Sequence, residues 1–124
     1  MRIEVNQLPP IECSPNWTGH WSKLYKASEV YRGAVYLECV NVRNLLSQKA
    51  FRKPRLDLTF VFPRPNVRDE DNMRARFKPG QDAIVLAGLI EDDNPGHLII
   101  GDLHMEVDKA RAPLTIIELE ESDE

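Results

Sequence analysis

LDLTFVF, residues 56–62, is the stretch from which the fold can be worked out. Leu56, Leu58, Phe60 and Phe62 alternate with Asp57, Thr59 and Val61. A period of two puts the four large apolar side chains on one side of an extended backbone, so a strand lying on a core is expected here. Pro63 and Pro65 close it, because proline has no N–H to give to a sheet ladder.

On its N-terminal side lies a basic linker, QKAFRKPR (48–55). Before that, Leu24, Ala27, Tyr31, Ala34, Val35, Val42 and Leu45 recur near the helical period, which predicts one long helix from Ser22 to about Ser47, weakened at Gly33. CSPNWTGHW (13–21) is turn-rich, and RIEV (2–5), followed by Pro9-Pro10, suggests a first strand. On the C-terminal side, NMRARF (72–77) suits a helix and KPG (78–80) should interrupt or restart it. QDAIVLAGLI (81–90) reads as a helix and EDDNPG (91–96) as a turn. LIIGDLHMEV (98–107) and LTIIELE (114–120) read as closing strands, joined as a hairpin through DKARAP. The expected class is α+β: a small mixed β-sheet covered by helices.

At 124 residues, with 42% hydrophobic and 29% charged side chains, the chain suits a single domain spanning 1–124. No run approaches the ~20 apolar residues of a membrane span, and MRIEVNQLPP lacks the apolar centre of a signal peptide, so a cytoplasmic location without membrane partners is expected. Cys13 and Cys39 form no CxxC pair and have no nearby His at metal-ligand spacing. Reduced thiols are the expectation, with a single disulfide left open. The net charge of −4 hides an asymmetry: residues 14–78 hold 13 Lys or Arg against six acids, and an acidic tail, ELEESDE (118–124), holds five acids. A locally basic surface that binds a polyanion is therefore compatible with the acidic total.

Two acidic clusters stand out, RDEDN (68–72) and EDD (91–93). If residues 69–71 are extended, Asp69 and Asp71 point the same way. Clustered carboxylates of that kind suit Mg²⁺ or Mn²⁺, and a third from the second cluster would complete a site open to phosphate. The plainer reading is that Asp69 or Asp71 caps the next helix and EDDNPG is a solvated turn. No Walker A loop, G-x-S-x-G or dinucleotide fingerprint is present, so ATPase, serine hydrolase and NAD-dependent readings have no support.

Taken together, RDEDNMRARFKPGQDAIVLAGLIEDD (68–93) resembles the signature of RusA-type Holliday junction resolvases, many of which come from phages or prophages. The matching pieces are Arg68-Asp69-Glu70-Asp71-Asn72, Lys78, Asp82-Ala83-Ile84, and Gly88 through Asp92-Asp93. The resemblance implies a homodimeric, Mg²⁺-dependent endonuclease that nicks branched DNA, a four-way junction, symmetrically in recombination or repair. Asp69, Asp71 and Asp93 would be its metal-binding and catalytic carboxylates, and Lys78 its catalytic lysine. The gap from Asp71 to Asp82 exceeds the family's by about one helical turn. Counted forward from Asp71, the lysine slot falls at Ala75, between Arg74 and Arg76.

Arg52, Lys53, Arg55, Arg64, Arg68, Arg74 and Arg76 are candidate phosphate contacts along the DNA arms. Asn72 suits ordering of the acidic loop, and Trp17, Trp21 and Tyr25 suit core or dimer packing over base stacking. His20, His97 and His104 have no zinc spacing; His104 alternates with Asp102 and Glu106, as on a polar sheet face. Two alternatives belong to other classes: a junction-binding module that does not cut, and a protein-interaction domain whose acids serve only solvation.

Overall fold

A computed structural model describes residues 1–65 and 68–123. Glu124 of the expected tail and the first position of the VRDEDN segment lie outside the described residues. The elements run β1 (Arg2–Val5), a 3-10 turn (Ile11–Cys13), α1 (Trp21–Leu46), β2 (Pro54–Phe62), α2 (Glu70–Arg76), α3 (Lys78–Leu86), β3 (Ile99–Val107) and β4 (Leu114–Glu121). The class is α+β, as expected, with a mixed sheet in the order β1-β4-β2-β3. In this sheet β4 pairs antiparallel with both β1 and β2, and β3 runs parallel to β2.

The expected hairpin between the last two strands is not there, because β2 lies between them. Asp108 N donates to Phe62 O at the end of β2, so the connection crosses that end and β4 returns on the far side. The cause lies in β2 itself. Leu56, Leu58, Phe60 and Phe62 face the helices as expected, but Val61 and Thr59 on the opposite side are buried too. Val61 packs there with Leu114 and Ile116. A strand covered on both faces takes the centre of a sheet and needs a partner on each side.

The long helix forms without a break at Gly33 and runs about 39 Å at the helical rise per residue. Its buried stripe is Tyr31, Val35 and Cys39, which pack with Ile3, Phe60 and Phe77 in the main core. Leu24 and Leu45, read as part of that stripe, are exposed. The Tyr31 hydroxyl bonds Thr115 Oγ1 at 2.9 Å, which satisfies the polar end of a buried ring. Both cysteines are free; burial pushes the Cys39 thiol up to about 12, so it behaves as core rather than as a nucleophile.

Two glycines are set by close approach. At Gly80 an added Cβ would lie 2.6 Å from the Phe77 ring. At Gly101 it would lie 2.2 Å from Asp57 Oδ1, where the β2–β3 register slips and Asp102 N donates to that carboxylate at 2.7 Å. The acidic end of the chain is less of a tail than expected. Residues 118–121 belong to β4, and the Glu121 carboxylate accepts from the Arg52 and Lys53 amides at 2.7 Å each.

Candidate functional site

The first acidic cluster opens α2. Asp69 sits just before the helix in extended conformation, and its Oδ1 accepts from Asp71 N at 3.0 Å. This is the capping role, favoured because the first amides of a helix lack partners and carry the positive end of its dipole. Glu70 pairs with Arg74 one turn on, at 2.9 Å. Asp71 is exposed, and its carboxylate makes no hydrogen bond or ion pair among the described residues. The expected extended spacing of Asp69 and Asp71 does not hold, because helix begins at Glu70 and turns about 100° per residue.

Phe77 ends α2 and opens α3 in one helical-region conformation. KPG therefore restarts the helix rather than breaking it, since proline in a first turn forfeits no hydrogen bond. The restart makes Lys78 the first residue of α3. Its Nζ lies 3.1 Å from Asp82 Oδ1, a turn along the helix, and 2.5 Å from Asp93 Oδ2 in the second cluster. Gln81 Nε2 donates to the same Asp93 oxygen at 3.1 Å. The Lys78 ammonium is the main cause that holds the Asp93 carboxyl below the usual aspartate range, and in return Asp93 raises the lysine. Asp92 has a different task. Its Oδ1 accepts from Asp93 N at 2.7 Å and its Oδ2 from Asn94 Nδ2 at 2.9 Å, so it builds the turn that presents Asp93.

The donors are those that Mg²⁺ or Mn²⁺ takes, but their arrangement does not fit such an ion as it stands. Among the described residues no three His, Cys, Asp or Glu side chains gather into a group that could hold a metal. Asp69 is turned to its helix, Asp71 is uncommitted, and Asp93 is held by Lys78.

The candidate phosphate contacts divide by their partners. Arg55 is paired with Asp57 at 3.1 Å and Asp102 at 3.0 Å, and Arg74 bonds Glu70 and Gly101 O. Both are already largely neutralised. Arg52 and Lys53 flank the Glu121 carboxylate, and Arg64 is exposed. Arg68 lies over the Phe62 ring, 3.5 Å from its centroid, and Arg76 is half-buried with its Nη2 donating to Pro9 O at 2.6 Å. These last two line a cleft of about 520 Å³ together with Leu8, Ile11, Ser14, Asn16, Phe62, Pro63, Asp69 and Asn72. Asn72 Nδ2 donates to Ser14 Oγ at 2.7 Å, tying α2 to the 3-10 turn.

The sequence offered no signal for Ser14 or Asn16, which come from a turn-rich loop and matter only because that loop packs on α2. Trp21 and Tyr25 do not pack in the core: they are 71% and 63% exposed, on adjacent turns of α1. His20 caps α1 through Ser22 N, His97 Nδ1 lies 2.9 Å from Asn94 Oδ1, and His104 is on the exposed face of β3. Among the described residues no helix is long and apolar enough to cross a membrane.

No known family profile matches the chain. It is 39% identical over 87 residues to an uncharacterized protein of Xylella fastidiosa (strain Temecula1). The match takes in 68% of this chain and 56% of that protein, so the chain spans little more than half the length of the relative it matches.

Proposed function

We propose that the chain is a structure-specific endodeoxyribonuclease of the RusA type, nicking four-way DNA junctions as a homodimer in the presence of Mg²⁺. The observation that carries this reading is the contact between Lys78 and Asp93 at 2.5 Å. The resemblance marks both residues as functional, and the chain between them folds so that two residues fifteen positions apart meet. Asp69 and Asp71 begin the helix that runs directly into Lys78.

In this reading the Lys78 ammonium exchanges Asp93 for a non-bridging oxygen of the scissile phosphate, where it offsets charge developing during cleavage. Asp71, in the helix that leads into Lys78, has an exposed, uncommitted carboxylate, and Asp69 fixes the start of α2. Mg²⁺ or Mn²⁺ would require Asp93 to leave Lys78 and turn toward the first cluster, a rearrangement that bound DNA could drive. Dimerisation is supported by apolar side chains left exposed on α1, including Trp21, Tyr25, Val30 and Leu37, and by Leu86 on α3. A two-fold dimer would offer two sites to a junction whose own symmetry is close to two-fold.

A second reading, a junction-binding module that does not cut, is favoured by one observation: the three aspartates are not gathered among the described residues. Incubating a labelled synthetic four-way junction with the protein, with Mg²⁺ or with chelator, separates the two. Paired symmetric nicks that need Mg²⁺ support the nuclease. Tight binding with no nicks in Mg²⁺ or Mn²⁺ leaves the binding module, and neither binding nor cutting removes both.

A further inference from the structure

Gly33 stands in the middle of α1, and nothing in its own chain calls for a glycine there. A Cβ added at that position would meet no atom within 4 Å beyond its own helix backbone. Glycine destabilises a helix interior relative to alanine, so it costs stability that no contact within the chain offsets. The missing side chain leaves a groove of about 310 Å³, lined by Glu29, Arg32, Gly33 and Tyr36 of α1 and closed on one side by Leu86 of α3. The four α1 positions follow the spacing i, i+3, i+4, i+7, which is one face of a helix. Tyr36 is 43% exposed and Leu86 64%, and Tyr25, toward the N-terminus of the same face, is 63% exposed. Glu29 and Arg32 pair with each other on the rim.

We propose that this face of α1 seats a second copy of the chain, whose own α1 crosses it antiparallel at Gly33. The four positions are symmetric about the midpoint between Arg32 and Gly33, so a two-fold axis there makes the face its own partner. Glu29 then lies opposite the partner's Tyr36, whose hydroxyl can donate to the carboxylate. Arg32 lies opposite the partner's Gly33, where the absent side chain admits its guanidinium between the partner's Glu29 and the partner's Tyr36. A carboxylate on one side and an aromatic face on the other both favour a cation. Tyr25 falls opposite the partner's Val40, a half-buried apolar residue. The symmetry repeats each of these contacts, and a small residue at the crossing lets two helix axes approach closely. This self-complementarity in charge and shape is what selects a second copy over an unrelated protein. The inference deepens the nuclease reading, which calls for a dimer, and rests on it only for what the dimer does with DNA.

The test is sedimentation velocity on the full chain, without DNA, over a wide range of concentration. The wild type should pass from monomer to dimer as concentration rises. Gly33→Leu should weaken the dimer by about tenfold or more, the scale of overpacking a filled contact. Its thermal unfolding as a dilute monomer should be unchanged or raised, because leucine favours helix and its Cβ meets nothing there. Arg32→Glu and Glu29→Arg should each weaken self-association by placing like charges across the crossing. An equal mixture of those two variants should dimerise where neither does alone, since acid then faces base at both contacts. A wild type that stays monomeric throughout overturns the interface, as does a dimer that none of these variants weakens. If such a protein still nicks the junction in Mg²⁺, the nuclease reading stands without this interface. A dimer that responds as expected in a protein that binds no DNA keeps the interface and removes that reading.

Discussion

Asp71 and Asp93 come from similar acidic stretches, RDEDN and EDDN, and meet opposite surroundings in the fold. Asp93 is held by Lys78 and Gln81 and kept ionised by them. Asp71 faces solvent at the start of α2, with Arg74 on the next turn taken by Glu70. One carboxylate is neutralised at rest and the other is available. Acid spacing alone therefore says little about the state of a carboxylate: the register of the restarted helix decides which cluster receives the lysine. In the proposed nuclease reading a site that must admit a phosphate would benefit from that division, because one acid would stay screened until a phosphate drew its lysine away.

Under the proposed nuclease reading, the largest effect expected of any substitution is on cleavage. Asp71→Asn should lower junction nicking by about a hundredfold or more, the upper range for lost support around a metal. Junction binding should be unchanged or tighter, since a negative charge near the backbone is removed; gel-based nicking and anisotropy report the two separately. Loss of both together would mean that Asp71 serves the fold and not the chemistry.

A second variant acts on the joint between the clusters. Gly80→Val would push a side chain into the Phe77 ring, which packs edge-on to Tyr31 and against Phe60. Urea unfolding should show a loss of about 1–3 kcal/mol, the usual scale of overpacking. The Lys78–Asp93 contact should loosen with it.

Third, Asp69→Ala should cost about 1 kcal/mol through the lost cap of α2, whereas Asp69→Asn, which can still accept from Asp71 N, should cost less. If both variants cost nothing yet both stop nicking, Asp69 belongs to the reaction and not to the helix.

The smallest effect sharpens the electrostatic half of the comparison. Lys78→Met should return the Asp93 carboxyl toward the ordinary aspartate value, read from its carbon shift against pH, with little change in stability, as for other exposed ion pairs. The sign follows from the two shifts. Asp93 is lowered, so its share of the pairing is complete above the ordinary aspartate range and disappears as pH falls through its lowered value. Lys78 is raised, so its share is complete below the ordinary lysine value and disappears as pH rises through the raised one.

Much of the fold was legible because it rests on periodicity. The alternation of 56–62 and the helical spacing around Tyr31 and Val35 each describe a buried face, and burial is what the fold fixed. The order of the strands was not legible. Val61 and Thr59 read as the outward half of an alternating strand, and only the packing of Leu114 and Ile116 beside Val61 makes β2 central. The motif marks the two clusters and Lys78, and the pairing of Lys78 with Asp93 depends on where α3 restarts. In the second cluster the two adjacent acids take different partners: Asp92 accepts from Asp93 N, and Asp93 from Lys78.

In the nuclease reading proposed above, the two acidic clusters would come together into one metal site only when junction DNA is bound. Adding substoichiometric Mn²⁺ to the ¹⁵N-labelled protein in the presence of junction DNA, and following which amide signals broaden, tests it directly. The claim predicts that Asp69, Asp71 and Asp93 broaden together, and that Asp71→Asn weakens the effect at Asp93 as well. Broadening confined to one cluster, or an Asp93 signal indifferent to Asp71→Asn, would contradict it.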